Sequence, residues 1–249
     1  MKIAVTGHLG FIGKNLVRAI SKKPDTTFYF ADLSNGRDIL DVKLPENTDV
    51  IFHLAAQADV QESIKDPLYD AMNNIIATIK LLLQNPEAKI IIASSVASKD
   101  PKSPYGIAKK AIESYSQVIH KNTVVCRLPN IFALNGGNGV VRKFIEAETV
   151  VVYGSGDQVR DFVHVNDIVR GLIMAVSWNP GIYELGSGKS VSVNELAEAT
   201  GKEIVKIGEL PGEIKESKAE NTTPNWKPEI DVLEFISKHS KKWKNQETG

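Results

Sequence analysis

The chain has 249 residues, which is enough for one large core or for one core with a small appendage. Its 30 basic and 30 acidic residues balance, and no apolar run reaches the roughly 20 residues of a membrane helix, so neither nucleic acid nor a membrane is an expected partner. The single cysteine, Cys126, excludes a disulfide within the chain and predicts a buried strand residue in a cytoplasmic protein.

Strand-like and helix-like segments alternate over the first half of the chain. The predicted strands are Ile3–Thr6, Thr27–Ala31, Val50–Leu54, Lys89–Ala93 and Thr123–Arg127. The predicted helices are Gly10–Lys22, Pro67–Leu83 and Pro104–His120. Such alternation is typical of right-handed β–α–β units, and continuous apolar runs suit strands that are buried on both faces. We therefore predict an α/β fold with a doubly wound parallel sheet.

The alternation becomes irregular after Arg127. The later predicted elements are strands at Val150–Tyr153 and Gly181–Leu185 and helices at Asn166–Trp178 and Val193–Thr200. We predict that residues 1–130 form a dinucleotide-binding core, with residues 160–180 packing back onto it. Residues 131–159 and 181–249 are predicted to form a small interleaved substrate-binding lobe.

Three glycines join the first predicted strand to the first predicted helix. Gly7 allows a tight turn, Gly10 lets the backbone approach phosphates, and Gly13 lets the helix pack close to the strand. Since a helix N-terminus attracts anions, this spacing predicts a site for the pyrophosphate of a dinucleotide.

An acidic residue, Asp32, follows the second predicted strand, about 20 residues after the glycines. A carboxylate at this place accepts hydrogen bonds from the adenosine ribose and repels a 2′-phosphate, which favours NAD over NADP. The alternative is a turn aspartate that caps Ser34–Gly36.

Tyr105 and Lys109 are four residues apart on a predicted helix, so their side chains share one face. A lysine ammonium beside a phenol favours the phenolate, which can take a proton from a substrate hydroxyl. Ser95, at the end of the preceding strand, is predicted to hydrogen-bond the same substrate oxygen, although Ser94 and Ser95 could simply end the strand. The five histidines show no metal-ligand spacing, and His53 is predicted to be a buried, hydrogen-bonded residue.

In series, these motifs resemble those of the extended short-chain dehydrogenases/reductases, in the NAD-dependent nucleotide-sugar epimerase/dehydratase group. The resemblance covers nearly the whole chain. The segments that carry it are Thr6–Gly13, Asp38–Asp41, His53–Gln57, Asn74–Thr78, Ser94–Ser95, Pro104–Lys109, Arg127–Asn130 and Gly154–Asp167.

The resemblance implies a Rossmann-type core and a role for each matching residue. The implied catalytic residues are Ser95, Tyr105 and Lys109. The implied NAD contacts are Gly7, Gly10, Phe11, Ile12, Gly13, Asp32, Asp38, Ile39, Leu54, Ala55, Ala56, Asn74, Tyr105, Lys109 and Pro129. The implied substrate contacts are Gln57, Ser95, Asn130 and Arg160, although Arg160 could instead pair internally with Asp161 or Asp167.

Two departures from the family pattern bear on the reaction. Dehydratase and decarboxylase members carry an acid directly after the catalytic Ser or Thr, where this chain has Val96. A second diphosphate-binding arginine has no counterpart at Leu210–Glu213. We therefore predict an epimerase that resembles the 4-epimerases. The alternatives are an NAD(P)H-dependent nucleotide-keto-sugar reductase and a non-catalytic dinucleotide-binding sensor or scaffold.

The resemblance also implies a homodimer, in which the helices predicted at Pro67–Leu83 and Pro104–His120 pair with those of a second copy to form a four-helix bundle. The first of these helices carries enough apolar residues for such pairing, although one stripe must also cover the sheet.

Overall fold

The computed structural model describes residues 1–22, 24–137, 139–208 and 215–246. The helices are α1 Phe11–Ile20, α2 Val60–Lys65, α3 Pro67–Ala71, α4 Ala77–Gln84, α5 Pro104–Ile119, α6 Val140–Glu146, α7 Val165–Met174, α8 Val193–Glu198 and α9 Val232–Gln246. The strands are β1 Lys2–Thr6, β2 Thr27–Ala31, β3 Val50–His53, β4 Lys89–Ser95, β5 Thr123–Leu128, β6 Asn130–Phe132, β7 Thr149–Tyr153, β8 Val159–His164, β9 Gly181–Glu184, β10 Ser190–Ser192, β11 Glu203–Ile207 and β12 Glu216–Ser217.

The chain divides into two compact units. The first comprises Met1–Leu128 and Val169–Glu184, and the second Pro129–Ile168 and Leu185–Gly249. In the described ranges, no helix has the length and apolar character needed to cross a membrane. The segment Leu210–Glu213, where the sequence offers no second arginine, lies outside the described residues.

The first unit is built on a six-stranded sheet in the order β2-β1-β3-β4-β5-β9, in which every neighbouring pair is parallel. This confirms the predicted α/β fold with a doubly wound parallel sheet. The direction of strand succession reverses between β1 and β3, and open sheets of this kind bind ligands beside the carboxyl ends of the strands at such a reversal. The glycine loop follows β1, and Leu54–Gln57 follow β3, so both predicted segments lie at this point.

The four central strands of the first unit's sheet, β1, β3, β4 and β5, are largely buried on both faces. On one face, the apolar side chains of the strands pack against Leu81 and Leu82 of α4 and against Ile112 of α5. On α1, Leu16 and Ile20 are buried as well. Cys126 is a fully buried residue of β5, as predicted. A sheet covered in this way fixes the ends of its strands, and with them the loops that carry the predicted site.

The prediction of one helix over Pro67–Leu83 holds at its two ends but not in its middle, where the structure departs from α-helical geometry. After α3, residues Met72–Ile76 form a π-helical turn before α4 begins. The Thr78 hydroxyl donates to the Asn74 carbonyl oxygen at 2.6 Å, and the Asn74 amide is held by two other acceptors. These side-chain bonds occupy the buried face of the wide turn, where a pattern of apolar residues gives no sign of them.

The domain limits predicted from sequence differ from the two units at two places. The strand predicted at Gly181–Leu185 is β9, which pairs with β5 and so belongs to the first unit rather than to the smaller lobe. Residues 160–168 belong to the second unit, because β8 is the central strand of that unit's sheet.

In the second unit, β8 pairs with β10 in antiparallel fashion and with β12 and β6 in parallel fashion. A separate parallel pair joins β7 and β11. The core between these strands and helices α6, α8 and α9 contains Phe144, Ile145, Leu196 and Ile236. Of these elements, β7 and α8 were predicted from the sequence. The strands β6, β10 and β12 have only two or three residues and carry no clear alternation. The strands β8 and β11 were missed although they are as long as β7 or longer.

Candidate active site

The glycine loop of the first unit has the geometry that its sequence predicts. Gly7 adopts a left-handed conformation with φ of 70°, and an added Cβ would lie 2.5 Å from the Ala55 amide nitrogen. A Cβ on Gly13 would lie 2.1 Å from the Gly7 carbonyl oxygen. Gly10 is the N-terminal flanking residue of α1 and has no side chain to cap the helix, so the amide groups of the first turn remain available to an anion. Phe11 and Ile12 are the first two residues of α1.

A cleft of about 300 Å³ lies beside this loop. It brings together nine of the predicted residues: Gly7, Gly10, Asp32, Asp38, Ile39, Leu54, Ala55, Ala56 and Gln57. Gln57 was predicted to contact substrate, and here it lines the same cleft as the residues predicted to bind the dinucleotide. The cleft also has Arg37, Tyr69 and Asn73 on its wall, none of which the sequence analysis identified.

The Asp32 carboxylate is held by two backbone amides. Leu9 donates to one carboxylate oxygen at 2.8 Å, and Ser34 donates to the other at 2.9 Å, where Asp32 caps the short turn Leu33–Asn35. Burial opposes ionisation of Asp32, but these hydrogen bonds outweigh it and hold the pKa of the carboxyl below its ordinary value. Asp32 therefore does cap a turn, and each ionised oxygen keeps a lone pair for a further donor.

Arg37 is the cation of this cleft that the sequence analysis missed. Its guanidinium donates to the Phe30 carbonyl oxygen at 3.1 Å and lies 5.3 Å from the centre of the Tyr29 ring. The available signal was an arginine five residues after Asp32, just beyond the turn that ends at Gly36.

The structure also brings Ser95, Tyr105 and Lys109 together, at the end of β4 and the start of α5. The Ser95 side chain acts on the Tyr105 phenol in the direction that lowers its pKa, and the Lys109 Nζ atom lies 5.7 Å from the centre of the Tyr105 ring. Lys109 is 4% exposed, and its Nζ donates to the Ala93 carbonyl oxygen at 2.9 Å. Ser95 also caps the turn Val96–Ser98, so the same residue both ends β4 and lies beside the Tyr105 phenol.

Burial dominates the titration of this cluster. It raises the pKa of Tyr105, while the Ser95 side chain acts to lower it. It lowers the pKa of Lys109 to about 8, against the attraction of the Asp70 and Glu113 carboxylates. The charge of Lys109 is therefore finely balanced near neutral pH, so neighbouring charges decide it.

His53 lies at the end of β3, next to this cluster, and is buried and satisfied as predicted. Its two ring nitrogens are 2.8 Å from the Thr6 hydroxyl and 2.9 Å from the Thr78 hydroxyl. Burial and the nearby Lys109 lower the pKa of His53 to about 3, which keeps the ring neutral. A second uncharged support is Asn74, whose side-chain amide donates to the Gln57 carbonyl oxygen at 3.0 Å and so ties the π turn to the loop after β3.

A buried carboxylate, Glu113, braces the loop that carries Ser95. It accepts hydrogen bonds from Ser94 at 2.6 Å and Ser98 at 2.5 Å, and Arg127 contacts it through two nitrogens. Arg127 also pairs with Glu184 of β9 at 3.1 Å. Sequence reasoning missed Glu113. The available signal was its place one helical turn beyond Lys109, on the same face of the predicted helix.

Replacing Glu113 with glutamine is expected to lower the free energy of unfolding by about 1.5–3 kcal/mol, because Arg127 loses one of its two buried carboxylate partners and keeps only Glu184. Burial opposes ionisation of Glu113, but its hydrogen bonds prevail and lower its pKa. The native protein therefore gains stability above the pKa of the unfolded glutamate and loses it as pH falls through the lower, folded pKa. Urea unfolding of wild type and Glu113→Gln across this acid range measures both effects.

A matched control is Glu62→Gln, which removes an exposed ion pair with Lys65 and is expected to cost at most about 1 kcal/mol. Equal losses for the two variants would contradict the bracing role of Glu113.

Pro129, Asn130 and Arg160 lie in the second unit. Pro129 is buried, and in the sequence it is the single residue that separates the end of β5 from the start of β6. Asn130 and Arg160 both line a cleft of about 510 Å³, which also has Lys143, Phe144 and Phe162 on its wall. The Asn130 amide donates to the Asp161 carbonyl oxygen at 3.2 Å, and the Arg160 guanidinium donates to the Val159 carbonyl oxygen at 2.8 Å.

The two aspartates considered as partners of Arg160 have structural hydrogen bonds of their own. The Asp161 carboxylate accepts from the backbone amides of Ser187 and Gly188. The Asp167 carboxylate accepts from those of Glu229 and Ile230. Both carboxylates therefore hold loops of the second unit together. In the described part of the chain, no group of three or more His, Cys, Asp or Glu side chains could hold a metal ion.

Comparison with known proteins shows similarity along the whole chain. Residues 3–186 match the NAD dependent epimerase/dehydratase family. A Methanocaldococcus jannaschii protein that carries a provisional name as a UDP-glucose 4-epimerase is 30% identical, over 95% of this chain and 96% of that protein. The alignment runs over 295 positions, more than the 249 residues of this chain, so the relative has insertions that this chain lacks.

Two solved structures are similar throughout. UDP-N-acetylglucosamine 4-epimerase from Methanobrevibacter ruminantium M1, in complex with UDP-N-acetylmuramic acid, has a TM-score of 0.82 and 29% identity over 99% of this chain and 98% of its own. UDP-glucose 4-epimerase from Thermotoga maritima, with UDP-glucose, has a TM-score of 0.80 and 26% identity over the full length of both chains.

Proposed function

Because the chain belongs to the NAD-dependent epimerase/dehydratase family, we propose that it is a 4-epimerase that interconverts UDP-glucose and UDP-galactose. As a member of that family it is an enzyme of the isomerase class, its cofactor is NAD, and its substrate is a nucleotide sugar. Uridine as the base and glucose as the sugar are our additions. We also propose that it works in the cytoplasm, a reducing compartment that suits the unpaired, buried Cys126.

The residues of the first unit fit a dinucleotide. Gly7 and Gly13 have no room for a Cβ, whereas the Cβ of an alanine at Gly10 would come no closer than 3.3 Å to other atoms of the protein. Among the described residues, the Gly7 carbonyl oxygen is therefore the one protein atom close to Gly10, where a phosphate is expected to approach the backbone. The amides at the start of α1 would hold the pyrophosphate, and Asp32 would accept the hydroxyls of the adenosine ribose.

The observation that carries the proposal is the Ser95–Tyr105–Lys109 cluster, in the same unit as the glycine cleft. Tyr105, as a phenolate, would accept the proton of the sugar hydroxyl. It would return the proton after the oxidised sugar has rotated to present its opposite face to the cofactor. Lys109, as an ammonium, would favour that phenolate, and Ser95 would orient the substrate oxygen. Bound NAD supplies the acceptor, and then the donor, of the hydride at the same carbon. Val96 offers no acid for elimination, which favours epimerisation over dehydration.

We further propose that the cleft of the second unit takes the nucleotide end of the substrate. Its apolar wall, with Phe144 and Phe162, suits a base, and Arg160 supplies a cation for the diphosphate. Lys143 lies on the same wall and adds a second positive charge.

The test is to incubate the NAD-loaded protein with UDP-glucose, UDP-galactose and the corresponding UDP-N-acetylhexosamines, and to separate the products. Interconversion of the two UDP-hexoses without net change in NADH supports the proposal. Turnover of the N-acetylated pair alone would contradict the choice of sugar. Stoichiometric consumption of NAD(P)H by a keto-sugar would indicate the reductase, and no conversion of any nucleotide sugar would refute the epimerase.

Asp32→Asn is expected to raise the Kd for NAD about 10-fold or more, because hydrogen bonds to a charged group contribute about 1.5–3 kcal/mol. It should also shrink the preference for NAD over NADP, since the carboxylate no longer repels a 2′-phosphate. Titration calorimetry with both dinucleotides measures the two effects. Asp41→Asn, an exposed change outside the cleft, should alter neither. An unchanged ratio of the two affinities in Asp32→Asn would contradict the ribose role.

We also propose that the protein is a homodimer that pairs through α3, α4 and α5. Exposed apolar residues recur along these neighbouring helices: Leu68, Met72, Ile76 and Leu83 on α3, the π turn and α4, and Ile107, Tyr115 and Val118 on α5. Leu68 is 72% exposed and Val118 is 85% exposed. Apolar side chains that recur at helical spacing on an exposed face favour burial against a partner helix.

Light scattering coupled to size exclusion tests this interface. We expect the wild type to have the mass of two chains, and the double variant Leu68→Glu, Val118→Glu to have the mass of one. Ile207→Glu, at an exposed apolar residue of β11, should remain a dimer. A wild type with the mass of one chain would refute the homodimer.

A further inference from the structure

Asp70 is a buried carboxylate that the proposed mechanism leaves unused. It lies on α3, where Leu68 and Tyr69 are exposed, yet Asp70 itself is only 1% exposed. It is not the cap of this helix, since that role belongs to the exposed Asp66. Burial of an ionised carboxylate is costly unless hydrogen bonds or an opposite charge compensate it. The groups that compensate the buried charge of Asp70 therefore indicate its role.

The hydrogen-bond partner of Asp70 is Asn74, whose side-chain amide donates to it at 2.9 Å. The same amide also donates to the Gln57 carbonyl oxygen, so both of its hydrogens are used. The Asn74 amide oxygen is buried and has no partner among the described residues. This acceptor therefore lies beside the buried Asp70 carboxylate, in the π turn that follows α3. The π turn packs against α5, which is the helix that carries Tyr105 and Lys109. π turns of this kind recur at functional sites.

The cation that acts on Asp70 is Lys109. Burial raises the pKa of Asp70 above its ordinary value, and the hydrogen bond from Asn74 and the attraction of Lys109 offset this only in part. In return, Asp70 supports the charge of Lys109, which burial disfavours. Within the described structure the two side chains do not form a direct ion pair. Asp70 is 1% exposed and Lys109 is 4% exposed, and the helices that carry them, α3 and α5, pack against each other, so their charges attract through a poorly solvated interior that screens them weakly.

We propose that Asp70 is a positioning residue of the Tyr105–Lys109 pair: its buried carboxylate keeps the Lys109 side chain charged at neutral pH. The other carboxylate near Lys109 is Glu113, whose charge is already shared by Arg127, Ser94 and Ser98. Among the described residues, Asp70 has one side-chain hydrogen bond, from Asn74, and no ion pair, so its negative charge is less neutralised than that of Glu113. A charged Lys109 is what the pair needs to favour the phenolate.

The groups that titrate around this pair are few. Lys109 interacts with Asp70 on α3, with Glu113 on its own helix and with His53 at the end of β3. Asp70 interacts with Lys109 and with Tyr105, both on α5. Its negative charge raises the pKa of Tyr105 directly, so its support of the phenolate acts only through the charge of Lys109. His53 is neutral, so removal of Asp70 leaves Lys109 with Glu113 as its remaining negative neighbour among these groups.

The test is the variant Asp70→Asn, which keeps the size of the side chain and an oxygen for Asn74 but removes the charge. Lysine side-chain carbon resonances report the titration of Lys109, assigned by their loss in Lys109→Met. We expect the Lys109 midpoint, near 8 in the wild type, to fall by about one pH unit or more in Asp70→Asn. Asp66→Asn, the same change at an exposed position one turn away, should leave it in place. An unmoved midpoint in a folded Asp70→Asn would overturn the proposal.

A measurement on the wild type guards against a variant that fails to fold. The Lys109 resonance should show a step at the pH at which the Asp70 carboxyl resonance titrates, and absence of that step would overturn the proposal independently. The inference rests on the proposed roles of Tyr105 and Lys109. If a nucleotide sugar is converted, the alkaline limb of the pH profile of kcat/KM should move to lower pH in Asp70→Asn. If no nucleotide sugar is converted, the proposed epimerase activity is refuted, and the titration of Lys109 alone decides the role of Asp70.

Discussion

Tyr105→Phe is expected to reduce kcat for the epimerisation by about 10²–10⁴-fold, the range that one positioned acid or base contributes. The phenol is the group of the cluster that can take the hydroxyl proton, because Ser95 acts to lower its pKa and Lys109 lies beside its ring. NAD affinity and stability should change little, since the ring remains. The measurement is kcat by separation of the UDP-hexoses, with NAD affinity determined alongside.

Tyr115→Phe provides the matched control, because Tyr115 lies on the same helix but on the face proposed for the dimer, outside the Ser95–Tyr105–Lys109 cluster, and the variant keeps the ring. It should keep wild-type kcat. If Tyr105→Phe retained more than about a tenth of the activity, another group would have to take the proton, and the role assigned to Tyr105 would be wrong.

Alanine substitutions at Gly13 and Gly10 are expected to have opposite consequences, although the two residues lie in one loop. A Cβ at Gly13 would overlap the Gly7 carbonyl oxygen, so Gly13→Ala must move α1 away from β1 and should lower the free energy of unfolding by about 3 kcal/mol or more. At Gly10 the backbone is extended and the nearest protein atom leaves nearly enough room. Gly10→Ala should therefore fold normally but raise the Kd for NAD at least about 10-fold, if phosphates approach there.

Urea unfolding and titration calorimetry on both variants separate these effects. Gly208→Ala, where an added Cβ meets no neighbour, controls for the substitution itself. A Gly10→Ala protein that binds NAD like the wild type would contradict the proposed place of the pyrophosphate. A Gly13→Ala protein of unchanged stability would contradict the close packing of α1.

The first unit could be predicted well because each of its signals is local. The glycine spacing determines how β1 meets α1, and the apolar runs identify strands that are buried on both faces. The placement of Asp32 after β2 follows from the same logic. The sequence offered two roles for this residue, and the structure bears out the capping role, while the ribose role remains a proposal.

What could not be predicted depends on contacts between residues that are distant in sequence. The π turn at Met72–Ile76 is accompanied by side-chain hydrogen bonds to the Asn74 backbone and to the loop after β3, and a periodic pattern of apolar residues does not predict such bonds. Asp70 looks like any polar residue at the start of a helix, and only the packing of α3 on α5 shows that it is buried. In the second unit, β6, β10 and β12 have two or three residues each and exist through their pairing with β8.

The parallel pairing of β9 with β5 has a consequence for biosynthesis. The ribosome releases β5 about 50 residues before β9, and the first stretch of the second unit emerges between them. Until β9 arrives, β5 is an open edge strand with the apolar residues Val124 and Val125, which can pair with another nascent chain. A product that stops at Leu128 would keep this edge permanently and should precipitate, because the six-stranded sheet is completed only when the chain returns from the second unit.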